Sequence, residues 1–230
     1  MFYVILFPLK VIKSQSGVVE IEQMSKKSKV YSLFLPFIIG IVLGITAKLI
    51  DVPYVTSKFP IFDHIMGRFG IWVWTAAIIS VFSKTALFAV VRSFVFFIGM
   101  LFAYYGYTVL FLDFFPKSQI ILWGAIAMIT PLCGFLIWQI HREHHYTNFI
   151  SSLPLMIFFT EWYLTAFADR YWTFSTAKDE MLLGIVYLCF AFSFFAIIPT
   201  NKKRFFSLFY GVLESIILIV LIREGIIVNP

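Results

Sequence analysis

Charge is what this chain has least of. Only 13% of its 230 residues are Asp, Glu, Lys or Arg, against about 25% in a soluble domain. Such a chain cannot cover a water-facing surface, which excludes an ordinary soluble globule. Cysteine is scarce as well. Cys133 and Cys189 both fall in apolar runs. They form neither a disulfide framework nor a CxxC site and read as small hydrophobes. There is no GxSxG, no glycine-rich phosphate loop and no EExxxR-type protease pattern, since Trp162 follows Glu161. A hydrolase triad and a nucleotide site therefore have little support, and nothing points to a cofactor. No 20–50-residue repeat or inverted duplication is visible, which weakens the case for a large secondary-transporter fold. The net charge of +6 comes without a basic stripe of useful length, so nucleic acid is not an expected partner.

What the chain does have is apolar length. Its mean hydropathy is +0.92 and 61% of its residues are hydrophobic. A membrane span needs roughly 20 apolar residues. The runs place spans at 31–50, 69–82, 85–111, 119–140, 149–168, 181–200 and 205–222. The fold expected is all-α: a polytopic transmembrane helical bundle of about seven spans, with six possible. The second run is the weak one, with about 14 residues. It is either thin and steeply packed or extended by the loop before it. Its short join to the third, Ser83-Lys84, allows only a tight helical hairpin.

Basic residues set the orientation. Eleven Lys and Arg fall on the side of the N-terminus and seven on the other, where they mix with acids. This predicts an N-terminus inside and a C-terminus outside. Trp72, Trp74, Trp123 and Trp162 would form part of an outer aromatic belt. Residues 1–23 are expected to be an extension, either preceding a true start at Met24 or lying as an interfacial anchor. They carry no small-residue cleavage site of a signal peptide. Residues 24–230 would be one transmembrane domain.

Three constellations are candidates for function. Gly40 and Gly44 form a small-xxx-small row, and Gly99 and Ala103 form another; such rows let helix backbones approach closely in lipid. They suit packing within the bundle or docking of another membrane protein through the Gly40/Gly44 face. His141, His144 and His145 would share one face if the helix before them continued, at a spacing that can bind zinc. No second ligand cluster accompanies them, so they are weak metal candidates, and a hydrated turn explains them equally. Arg92, Glu161 and Glu214 interrupt apolar runs, and charge in a membrane is costly and normally pairs or faces a wet cavity. At 1.5 Å per residue their depths are about 10, 18 and 14 Å. A shared depth predicts that the three converge, with Arg92 pairing Glu214 and Glu161 left as a protonatable carboxylate. They are the substrate- or proton-site candidates, or else a clasp holding three helices.

The segments 40–51 (GIVLGITAKLID), 70–84 (GIWVWTAAIISVFSK), 97–108 (FIGMLFAYYGYT) and 115–131 (FPKSQIILWGAIAMITP) together resemble a family of small, uncharacterised multi-pass membrane proteins from Gram-positive bacteria. The resemblance covers about residues 30–200. It implies a bacterial plasma-membrane location, with the lipid bilayer as solvent, and brings no activity, cofactor or catalytic residues. Three functions remain open. The first is a small permease or membrane subunit of a transport system. The others are an accessory protein binding another membrane protein or lipid, and an intramembrane lipid-modifying or proteolytic enzyme.

Overall fold

The computed structural model describes residues 17–51, 58, 60–113, 115–144, 146–167 and 176–226, without the side chains of 17–30, 112 and 176–179. Among them are eight α-helices and no strand. They are α1 (Gly17–Ile50), α2 (Pro60–Gly67), α3 (Phe69–Val81), α4 (Ala86–Leu112), α5 (Lys117–Trp138), α6 (Tyr146–Phe167), α7 (Thr176–Ile197) and α8 (Asn201–Arg223). A 3₁₀ turn, Gln139–His141, follows α5. Six helices are long and apolar enough to cross a membrane, and α2 with α3, bent by 57° at their break, brings the number to seven when the pair is counted as one span. The protein is therefore a multi-pass helical bundle of six to seven spans. The short second run does borrow from the loop before it, and α2 is what it borrows. Residues 17–23 belong to helix α1, while 1–16 lie outside the described residues.

The helices fall into two groups around α3. Helix α1 packs along α4, and α4 along α5; α6 packs on both α7 and α8. Helix α3 touches α4 and α5 on one side and α6 and α7 on the other, while α5 and α6 barely meet. Each group has its own core. Trp72 joins Ala47, Phe96, Phe97, Met100 and Ala127. Ala77 and Val81, on the same helix, join the second core with Leu155, Phe158, Tyr187 and Phe194.

Close packing follows the small residues. A Cβ on Gly40 would lie 2.1 Å from the Phe96 carbonyl oxygen, and one on Gly44 would lie 2.6 Å from that of Met100 and 3.2 Å from the Ala103 Cβ. A Cβ on Gly99 would lie 2.5 Å from the Phe37 carbonyl oxygen. The two small-residue rows thus meet each other along α1 and α4. The Gly40/Gly44 face is filled from within, which corrects its reading as a dock for another protein. Helix α8 shows the same inversion of size. Ser207, Gly211 and Ser215 are buried, while Phe205, Phe209, Leu213 and Ile217 are exposed. Large apolar side chains outside and small ones inside suit a hydrocarbon solvent.

Prolines inside helices remove an N–H and free the carbonyl four residues earlier, which in lipid must find another donor. Pro36 frees the Ser32 carbonyl, and the Arg92 Nε donates to it at 3.0 Å. Pro131 frees the Ala127 carbonyl, and the Thr130 hydroxyl donates to it at 2.7 Å. Trp72 is only 3% exposed and donates its indole N–H to the Met66 carbonyl at 3.0 Å. It belongs to the core and to the α2–α3 break, which corrects its place in an aromatic belt. Trp74 is likewise turned inward, donating to the Ser193 hydroxyl at 2.7 Å.

Candidate functional site

The three intramembrane charges do not converge. Depth along a helix follows from sequence, but which neighbour a face meets is decided by helix order, and α4, α6 and α8 turn these residues into different interfaces. Arg92 meets the Ser32 carbonyl, the Ser83 hydroxyl at 3.4 Å and the Phe88 ring at 5.3 Å. Glu214 faces α6, where the Ser152 hydroxyl lies 2.8 and 3.0 Å from its two carboxyl oxygens and 2.6 Å from the Phe149 carbonyl. One hydroxyl carries one proton, so the Ser152 hydroxyl is shared between the Phe149 carbonyl and the Glu214 carboxyl. Glu161, expected to be unpaired, takes a hydrogen bond from Arg68 Nη1 at 2.9 Å. Among the described residues the glutamate with a cationic partner is thus Glu161 rather than Glu214.

Arg68 had no place among the sequence candidates, yet it lines the more polar of two cavities among the described residues. It stands at the break between α2 and α3 with extended backbone (φ −103°, ψ 162°) and N-caps α3. The Gly67-Arg68 pair ahead of an undersized span was the available signal. A break leaves backbone groups open, which membranes tolerate only where protein or a wet cavity receives them. Here a cavity of about 410 Å³ does so. It is walled by Asp51 at the end of α1, Arg68, Tyr104 and Tyr105 of α4, Gln119 and Trp123 of α5, and Glu161 of α6.

Two ion pairs stand on its wall. The Arg68–Glu161 pair is half-buried, with side-chain exposures of 37% and 14%. In the second, Lys48 Nζ lies 3.1 Å from Asp51 Oδ2, and the Tyr104 hydroxyl donates to the same oxygen at 2.5 Å. Lys48 also lies 4.8 Å from the centre of the Tyr104 ring. Asp63 of α2 interacts with Asp51 and adds a second carboxylate there. Beside the Arg68–Glu161 pair is Tyr187 of α7, which is 1% exposed. Its hydroxyl has no hydrogen-bond partner among the described residues, and both members of the pair lie within its electrostatic reach. Gly70 makes room for it, since a Cβ there would come within 2.1 Å of the Tyr187 ring.

A second cavity of about 220 Å³ lies alongside the α3–α6 interface and is almost wholly apolar, with Ala76, Phe97, Ile126, Ile129, Cys133 and Ile157 among its lining residues. Phe69 borders both cavities. Its ring packs on Trp123 at a centroid distance of 5.1 Å.

At the opposite end of the bundle the cations bind backbone. Lys203, 8% exposed, donates to the carbonyls of Arg142 and, at 3.2 Å, of Ile140. Arg204 donates to those of Ala196 at 2.8 Å and Ile198 at 2.9 Å. Trp138 donates to the Ser83 carbonyl at 3.0 Å. The helix carrying His141 ends there in the 3₁₀ turn and Arg142 is extended, so among the described residues His141 and His144 do not share a helical face. His141 Nε2 lies 3.1 Å from the Val81 carbonyl, His144 stacks on Tyr146, and His145 lies outside the described residues. Cys133 and Cys189 are free and exposed on the apolar perimeter.

Comparison with known proteins gave no match to any family model, curated protein or solved structure, so the site speaks only through its own residues.

Proposed function

We propose that this protein is a small permease, or the membrane subunit of a transport system, in a bacterial plasma membrane, and that the cavity at the α2–α3 break binds its substrate. One observation carries this reading: a broken span places a half-buried ion pair on the wall of a polar cavity otherwise enclosed by apolar helices. Intramembrane charge and non-helical backbone are both costly in lipid, and they coincide where solute must be held. The excess of basic residues on the other side makes the cavity end the outer one. The Gly40/Gly44 face, which favoured an accessory role, is filled by α4.

Transport requires the cavity to be reached from both sides of the membrane. Leu101 lines it from α4. A Leu101→Cys reporter in a Cys133→Ala/Cys189→Ala background should react with a membrane-impermeant maleimide from either face of oriented vesicles. Breaking the Arg68–Glu161 pair should shift the balance between faces. Labelling from a single face, unchanged by breaking the pair, would replace the permease reading with that of a binding protein.

A further inference from the structure

The two cavities are stacked along the bundle. Leu101 and Trp123 line the polar one; Phe97 and Ile126, about one turn away on the same helices, line the apolar one. Phe69, packed on Trp123, is the partition. The polar chamber presents both signs of charge. Arg68 stands at the N-terminus of α3, the positive end of that helix dipole, and Asp51 and Glu161 are its acids. Trp72, Tyr104, Tyr105 and Trp123 supply aromatic faces, which receive ammonium groups. The chamber thus offers a donor set for a phosphate and, across from it, an acceptor and aromatic set for an amine.

The apolar chamber has different neighbours. Its rim residues Ile129 and Cys133 are exposed on the lipid-facing perimeter, and it opens where α5 and α6 barely touch. Its volume exceeds that of apolar cavities of roughly 150 Å³ that take benzene. A small polar solute would leave this space unused. A hydrocarbon chain would fill it, entering sideways from the bilayer.

We propose that the substrate is an amphiphile, with a zwitterionic phosphate–amine head group in the polar chamber and one hydrocarbon chain in the apolar chamber beyond Phe69. This rests on the polar cavity being the substrate site.

The experiment uses the full chain in nanodiscs with two probes. One is lysophosphatidylethanolamine bearing a mid-chain diazirine; the other is glycerophosphoethanolamine, the head group alone. Photolabelling should mark the α3 residues that line the apolar chamber, Ala76 among them. Saturating glycerophosphoethanolamine should cut that label at least tenfold and leave the label on lipid-facing Phe102 and Met128 unchanged. Cys133→Trp, which fills the rim, should remove the α3 label while the tryptophan-fluorescence response to glycerophosphoethanolamine persists. An α3 label that the head group does not displace would mean ordinary annular lipid and overturn the amphiphile proposal. The same holds if glycerophosphoethanolamine binds but α3 is unlabelled; both results leave the polar cavity as the site. If glycerophosphoethanolamine fails to bind, or binds equally to an Arg68→Met/Glu161→Leu variant, the polar cavity is not the site of this head group and the amphiphile proposal falls, while the Leu101→Cys labelling decides the permease reading separately.

Discussion

At the His141 end of the bundle, Lys203, Arg204 and Arg92 all donate to backbone carbonyls. At the Asp51 end, Lys48 and Arg68 both meet carboxylates on the wall of a cavity. The chemistry of the side chains is the same and the use is opposite. The carbonyls of a helix C-terminus have no intrahelical donor, and cations placed there complement the dipole. Helices α3, α5 and α7 all finish at the His141 end, and a side chain from a neighbouring element serves each finish. A cation held this way has a fixed acceptor and nothing to exchange. A cation held by a carboxylate can trade it for another anion. Charge that stabilises and charge that can bind are thus separated along the membrane normal.

The contrast is open to direct attack at three strengths. Arg68→Met should cost most, because it strands Glu161. The pair is neither fully exposed nor fully buried, so the loss lies between the ~1 kcal/mol of an exposed pair and the ~3–5 kcal/mol of a buried one, or about 2 kcal/mol. Thermal unfolding in nanodiscs measures it. The double variant Arg68→Met/Glu161→Leu should regain most of that stability. Equal losses in the single and double variants would show that the pair is not what holds the break.

Lys203→Met should come next. It leaves the Ile140 and Arg142 carbonyls without their donor, at about 1–2 kcal/mol. Labelling of the Leu101→Cys reporter should be unaffected. A change in labelling of the cavity would couple the two ends and dissolve the distinction between them.

Glu214→Gln should do least. Glu214 has no cationic partner among the described residues, and an amide oxygen still accepts from Ser152. A stability change of about 0.5 kcal/mol or less is expected. A large loss would assign Glu214 an ionised role that its contacts do not provide.

Much of the bundle was legible from hydropathy, because length and polarity alone decide what spans a bilayer. The undersized second run, 69–82, was legible as too short to cross unaided, but the 57° bend before it was not. The packing rows were legible too, although nothing in their spacing said that Gly40 and Gly44 would meet Gly99 and Ala103. Arg92, Glu161 and Glu214 interrupt apolar runs, and of the three Glu161 is the one that lines either of the two cavities described. Arg68 and Asp51 lie just outside the apolar runs, where hydropathy gives no sign of a site. A charge at the end of one helix becomes intramembrane only when a neighbouring helix is broken around it, and that depends on tertiary arrangement. Arg92 could have been explained sooner, but linking it to Pro36 needs to know that α1 and α4 are neighbours.

The α1–α4 seam is therefore fastened by two kinds of contact at once. The glycine rows set how near the two backbones come, and Arg92, reaching across to the Ser32 carbonyl, fixes how far one helix can slide along the other. A proline in one helix and an arginine in its neighbour thus act as a register pin for a seam that small residues alone would leave smooth.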